Sequence, residues 1–289
     1  MSATTAEAEA PRRPGLLARL LRDPAAAGAL IFTLLLLAAA ALAPWLAPTD
    51  PLDNNLALSM QPPGSPGLPL GADAQGRDMV TRMLFGLRAS LLMGFSATLA
   101  GGVVGVLLGF LAAFYQRWLD GPIMRLMDMM LSFPAILVGL AIAAIFGPGL
   151  SSVVLALAIA TVPLMARIAR GSALVTMRLD YIEAARAIGM TDARLIWRHL
   201  APNCLSAIFV FTTLRFGQVI LLGSALSFLG LGAQPPTAEL GAMASEGRNF
   251  LFFAPHIAVI PCIGIFAIVL AFNLLGDALR DALDPRLRF

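Results

Sequence analysis

Six stretches of the chain are apolar over about the length that crosses a bilayer, and that repetition constrains the fold more than any other feature. A spanning helix needs roughly 20 apolar residues, because each adds about 1.5 Å of rise and the hydrocarbon layer is about 30 Å thick. The runs lie at about 25–47, 89–115, 131–146, 150–169, 204–229 and 255–275. Only 13% of the 289 residues are charged and 58% are hydrophobic, whereas a soluble domain carries about 25% charge. The pattern therefore predicts an all-α, polytopic membrane bundle of six transmembrane helices. Ala41-Leu42-Ala43 has the form of a signal-peptide cleavage site, but the apolar stretch around it exceeds the roughly 7–15 residues of such peptides. It is read as a retained membrane helix.

Between the runs, turns and charge set the topology. Gly147-Pro148-Gly149 separates the third and fourth runs and predicts a tight turn between antiparallel helices. Pro163 inside the fourth run removes a helical hydrogen bond and predicts a kink. Positively charged loops stay in the cytoplasm. Placing the N-terminus inside puts 15 of the 20 Arg residues there, among them Arg12, Arg13, Arg19, Arg22, Arg178, Arg194, Arg198, Arg280, Arg286 and Arg288, so both termini are predicted to be cytoplasmic. Arg77, Arg82, Arg88 and Arg248 fall outside, with Asp73, Asp78, Glu239 and Glu246 available to satisfy the outer loops or to meet an external partner. The chain divides into residues 1–87, with an inner segment, the first helix and an external loop, and residues 88–289, a five-helix core.

Every basic residue is Arg and none is Lys, which rules out a phosphate loop whose Lys must reach the terminal phosphates. Any nucleotide chemistry of that kind belongs to another chain. The Arg residues are scattered over short segments, against a nucleic-acid surface. Cys204 and Cys262 adjoin or lie within apolar runs, and His199 and His256 are isolated, so no metal or catalytic cluster is visible. Gly101, Gly105 and Gly109 recur every fourth residue and predict a smooth stripe for close helix packing. Arg215 is the one cation well inside an apolar run, so it either lines the transport route or snorkels to an interface. Asn273 is expected to hydrogen-bond between helices.

The polar segment 167–203 is too long for a simple turn and too charged for lipid. Asp180 to Ile188 has helix-forming composition, with Glu183 and Arg186 spaced to share a face. Gly189 predicts a left-handed helix end, Thr191 a cap for a second helix from Asp192 to Leu200, and Pro202 its limit. The product is a cytoplasmic helical hairpin at about 178–203, with Ile188, Leu195 and Ile196 available for apolar contact with another protein's groove.

At these residues the chain resembles a known family. Glu183-Ala184-Ala185, three residues, Gly189, nine residues and then His199-Leu200-Ala201-Pro202 is similar to the EAA signature of permease subunits of bacterial ABC importers. His199 and Ala201 stand where that signature usually has Ile and Leu. Leu70-Gly71-Ala72-Asp73, Gly76-Arg77-Asp78, Arg88-Ala89-Ser90-Leu91, Leu226 to Gly232 followed by Gln234-Pro235-Pro236, and Asn273-Leu274-Leu275-Gly276-Asp277 with Asp284-Pro285-Arg286 resemble the C-type permease subunit of dipeptide, oligopeptide and nickel importers.

The resemblance implies a type I ABC importer permease fold and a non-catalytic inner-membrane subunit forming half of a pathway for peptides, or alternatively for nickel complexes or glutathione. The implied partners are a homologous B-type permease, two cytoplasmic ATPases that bind ATP and Mg, an external substrate-binding protein and the lipid bilayer, with no cofactor on this chain. Glu183, Ala184, Ala185, Arg186, Gly189, Leu195, Ile196 and Pro202 become the expected ATPase-coupling residues. A secondary transporter would need an ion site near the midplane, which six helices with almost no buried acid do not supply. A membrane enzyme would need clustered His, Asp, Glu or Cys.

Overall fold

The computed structural model describes residues 16–283. Arg12, Arg13 and the C-terminal Asp284-Pro285-Arg286 and Arg288 lie outside the described residues. Within them the chain is helical, with two isolated bridges and no strand. In order it forms α1 (Leu16–Arg22), α2 (Pro24–Ala41), α3 (Ala43–Leu46), α4 (Met79–Phe114), α5 (Asp120–Ser132), α6 (Ala135–Phe146), α7 (Leu150–Thr176), α8 (Asp180–Ala187), α9 (Asp192–Leu195), α10 (Ala201–Phe228), α11 (Leu240–Gly247) and α12 (His256–Leu283).

Five of these helices are long and apolar enough to cross a membrane: α2, α4, α7, α10 with the turns before it, and α12. The third apolar run is the exception to the expected six. Its helix, α6, has 12 residues and a length of about 18 Å, too short for the hydrocarbon layer. It meets α5 at 86° across Phe133-Pro134. Proline forces the residue before it out of helical geometry, and Phe133 is extended at φ −90°, ψ 128°. A broken span therefore replaces a straight one.

The second span starts earlier than its apolar run suggests. Asp78 accepts the Thr81 backbone N–H at 2.7 Å and starts α4 ten residues before the run at 89. At 36 residues, α4 is about 54 Å long, well beyond the thickness of the hydrocarbon layer. It runs unbroken through the 87/88 boundary, so the external loop joins the core through a rigid rod. α7 likewise continues through Arg167 and Arg170 to Thr176, which shortens the polar segment between spans to about 178–200.

α4 and α7 form the most extensive helix pair in the bundle. A Cβ added at Gly101, Gly105 or Gly109 would lie 2.3, 2.5 or 2.4 Å from the carbonyl oxygens of Ala158, Val162 and Ala166. The glycine stripe is therefore filled within the chain, by the backbone of α7. Around that seam, Leu87, Leu91, Phe216, Ile220, Leu240, Ile268 and Phe272 join α4, α10, α11 and α12 in one core. Ile31, Leu34 and Leu35 of α2 stay more than half exposed, as a lipid-facing surface requires. Trp45 and Trp118 are exposed at the ends of spans, where amphipathic rings suit the headgroup region.

Gly105→Ala is expected to lower the melting temperature in detergent, since overpacking of this kind costs about 1–3 kcal/mol. Gly102→Ala is the control, because its Cβ would meet nothing nearer than the Met165 side chain at 3.9 Å. Equal melting temperatures for the two variants would contradict the backbone contact.

Candidate functional site

Three polar constellations depart from the apolar bundle, and the α8–α9 hairpin is the largest. Gly189 has φ +79° and closes α8 through two backbone bonds: its own N–H donates to the Arg186 carbonyl at 2.9 Å, and Met190 N–H to the Ala185 carbonyl at 3.1 Å. That pairing is the Schellman arrangement, which needs a left-handed residue where Gly189 stands. Met190, Ile182, Ala185 and Leu195 close a small core against Phe114, the last residue of α4. The hairpin is thereby seated on the inner end of α4.

This seating corrects several expectations. Leu195 is fully buried and packs inside the hairpin, so it is not available for an outside contact. Ala185 is also buried, whereas Ala184 and Glu183 are exposed. Ile188 is 80% exposed and Trp197 64%, and these two carry the apolar outward face. Glu183 and Arg186 do not pair. Arg186 instead stacks its guanidinium over the Phe114 ring, 5.3 Å from its centre, a cation–π contact available because that ring caps α4. Thr191 sits at the start of α9 but makes no side-chain cap bond. Asp192 accepts a hydrogen bond from the Tyr115 hydroxyl at 3.2 Å, and lost hydration together with that carboxylate raises the tyrosine pKa.

Pro202 does not end the second helix. Ile196 to Leu200 form one π-helical turn that leads directly into α10, with the Ala201 N–H bonded to the Ile196 carbonyl five residues back. The wider turn accommodates a proline ring that would clash in a regular helix. Pro202 is exposed at the start of α10, and Ile196 is half-buried against the core beneath. The hairpin thus connects by continuous helix to the span that carries Arg215.

At the outer end of α4 four charged side chains converge. Asp73 Oδ2 lies 2.6 Å from Arg77 Nε and 3.1 Å from Arg82 Nε, while Glu246 Oε2 lies 3.3 Å from a terminal nitrogen of each arginine. Asp73, Arg77 and Arg82 are buried. The second Asp73 oxygen accepts the N–H groups of Gln75 and Arg77, both at 2.9 Å. Gly76, at φ +75°, allows that tight turn, and a Cβ there would sit 1.7 Å from the Asn55 carbonyl oxygen. Beside the cluster, fully buried Glu239 accepts Ser90 Oγ at 2.7 Å and caps α11 through the Gly241 and Ala242 N–H groups. His256 hydrogen-bonds the Ala72 carbonyl at 3.1 Å. The outer acids are therefore spent on the fold, and α11 packs between α10 and α12 where the sequence suggested only a loop.

The third constellation surrounds Arg215. It is half-buried midway along α10, hydrogen-bonds Gln218 at 2.5 Å, and borders a cavity of about 270 Å³ formed at the α5–α6 bend. Asn273 makes no interhelical side-chain hydrogen bond; its Oδ1 lies where a Cβ on Gly217 would be 3.0 Å away, so it packs the α10–α12 crossing. Cys204 and Cys262 are free thiols. Among the described residues no three His, Cys, Asp or Glu side chains converge on a metal position.

The fold as a whole has counterparts among solved structures. The inward-facing methionine ABC transporter MetNI includes a chain that superposes at TM-score 0.59, with 19% identity, covering 70% of this chain and 97% of that one. A second likeness, to an amino acid ABC transporter with histidines, has TM-score 0.53 and 21% identity over 68% of this chain and 91% of the other. The fold is that of a type I ABC importer permease. Residues 105–289 match the binding-protein-dependent transport system inner membrane component, and residues 16–63 match the N-terminal TM domain of oligopeptide transport permease C. The glutathione transport system permease protein GsiD of Pectobacterium atrosepticum is 46% identical over 93% of this chain and 90% of its own, and that of Escherichia coli O6:K15:H31 is 45% identical over 93% and 89%. The chain belongs to the binding-protein-dependent transport system inner membrane component family. It is a multi-pass inner-membrane permease subunit of an ABC importer, a transport subunit and not an enzyme.

Asp73→Asn leaves Arg77 and Arg82 buried without a full counter-charge, which is expected to cost about 3–5 kcal/mol of stability. Glu246→Gln is expected to cost less, since the Glu246 side chain is 28% exposed and solvent compensates. Thermal unfolding in detergent ranks the pair; a milder effect at Asp73 would show that the cluster is not the outer anchor.

Proposed function

We propose that this chain forms half of an ATP-driven pathway importing small peptides, and that it receives the ATPase stroke through the α8–α9 hairpin. The other half is a homologous B-type permease, two cytoplasmic ATPases bind ATP and Mg, and an external binding protein delivers cargo. The Arg distribution supports cytoplasmic termini and a cytoplasmic hairpin. The absence of Lys supports reliance on separate ATPase subunits, because this chain cannot build a phosphate loop. Similarity to the GsiD permeases supports glutathione, itself a small peptide, as the first cargo to test.

The observation that carries the coupling role is the hairpin's mounting. Its outward face offers Ile188 and Trp197 to a partner groove, while its inward face is packed onto Phe114 and runs without a break into α10. A displacement of the hairpin is thus passed to α4 and α10 together. Ligand-driven switching needs contacts that differ between two states, and here the ATPases supply them at one end and the binding protein at the other. Exposed Glu183 and Arg186 flank the docking face, with Ala184 small enough for close approach.

Reconstitution with the ATPases, the B-type permease and the binding protein in proteoliposomes is expected to give uptake that requires ATP. Uptake at the same rate without ATP would overturn the proposal. In that system Ile188→Asp is expected to lower ATPase co-purification and cargo uptake by roughly tenfold or more, since a charge in an apolar groove goes unpaired. Gly189→Val strains a left-handed position by about 1–2 kcal/mol and is expected to weaken coupling while membrane insertion persists. Full cargo-stimulated ATP hydrolysis in both variants would remove the hairpin from the coupling path.

A further inference from the structure

Arg215 lies on α10 about 21 Å along the axis from Ala201 and about 20 Å from Phe228, near the middle of that helix. Charges held at such depth face a partner, a cavity or a transport route. Of its five N–H donors, one has a partner in Gln218, and the buried Nε has none among the described residues. No carboxylate pairs with it or lines the cavity among those residues. The cavity walls are Phe133, Pro134 and Val138 at the α5–α6 bend, and Ile159, Pro163 and Leu164 of α7. Pro163 also deprives the Ile159 carbonyl of its helical donor. A guanidinium with free donors in an apolar recess is half of a charge-assisted, two-pronged bond, and the missing half is a planar anion.

We propose that Arg215 is the residue through which the half-channel recognises a carboxylate on its cargo, at a site beside the α5–α6 bend. The inference rests on the importer reading above and narrows it to cargo bearing a free carboxylate, such as a peptide C-terminus. The site suits brief occupancy: a single cation between apolar walls binds an anion with few contacts, as a conduction site requires. A neutral cargo would leave the guanidinium unpaired and lose the interaction.

The test uses the complete reconstituted transporter with glutathione and its diamide, in which both the glycyl and the glutamyl carboxylates are amidated, each at saturation of the binding protein. Arg215→Met is expected to lower the glutathione transport rate roughly 10- to 100-fold, the worth of a hydrogen bond to a charged group, and to lower the amide rate far less. Equal losses for both cargoes, or no loss for glutathione, would overturn the proposal. A second measurement stands even where the binding protein rejects the amide. In a chain carrying Cys204→Ala and Cys262→Ser, Arg215→Cys is treated with cationic or anionic methanethiosulfonate reagents. Modification by the ethylammonium reagent is expected to restore glutathione uptake, and the ethylsulfonate reagent to leave it low. No reaction, or equal effects of the two reagents, would assign Arg215 to contact with the partner permease. Absence of ATP-dependent uptake by the unmodified transporter would instead refute the importer reading, so the two failures are distinct.

Discussion

The contact on which the rest of the structure depends is the seam between α4 and α7, where three glycines admit the backbone carbonyls of the opposite helix. Lipid tails are as apolar as the side chains they compete with, so helices in a bilayer gain little from burying leucine and much from close van der Waals approach. A single added methyl at Gly105 would fall inside contact distance of a carbonyl that cannot move without bending α7. With α7 fixed in this way, α4 becomes the mast of the subunit. Its outer end holds the ion cluster, and its inner end holds the hairpin.

Both ends use charge, but under different rules. Outside, the Arg77 and Arg82 pair faces Asp73 and Glu246 away from water, an arrangement that is costly to break although worth little over an apolar replacement. Its value is positional: it ties the loop at 71–78 to α11 and so to α10 and α12. Inside, the ion pairs between α5 and α7, Arg170 with Asp120 and Arg167 with Asp128, are partly or largely exposed and worth about 0–1 kcal/mol each. The exposed, weak pairs thus lie at the bent span, and the buried, mutually paired charges lie at the opposite end of α4.

Much of the hairpin was legible from its residues. A helix-former run ending in Gly189 specifies a left-handed stop, and the two backbone bonds at Ala185 and Arg186 follow from it. Which face of the hairpin points outward was not legible, because Leu195 and Ile188 are equally apolar and only the position of Phe114 decides that one is buried and the other bare. Arg186 shows the same limit: spacing brought it beside Glu183, and an aromatic ring 72 residues away in sequence took it. The outer acids looked free for a partner, yet Glu239 is bonded by Ser90 and Glu246 by Arg77 and Arg82, residues of distant segments that only the folded bundle brings together.

Sequence alone determined the solvent and the class: the apolar runs mark the segments that belong in a bilayer, Arg placement gives the expected sidedness, and the lack of Lys excludes a phosphate loop on this chain. Those properties are local or additive, and so can be read along one dimension. Tertiary structure decided that the third span is broken by 86° at Pro134, that Pro202 is absorbed by a π turn, and that Arg215 borders a recess at that bend. Each of these depends on what lies opposite in space. A proline breaks or bends a helix according to its packing, and a cation in an apolar helix acquires meaning only from the walls around it.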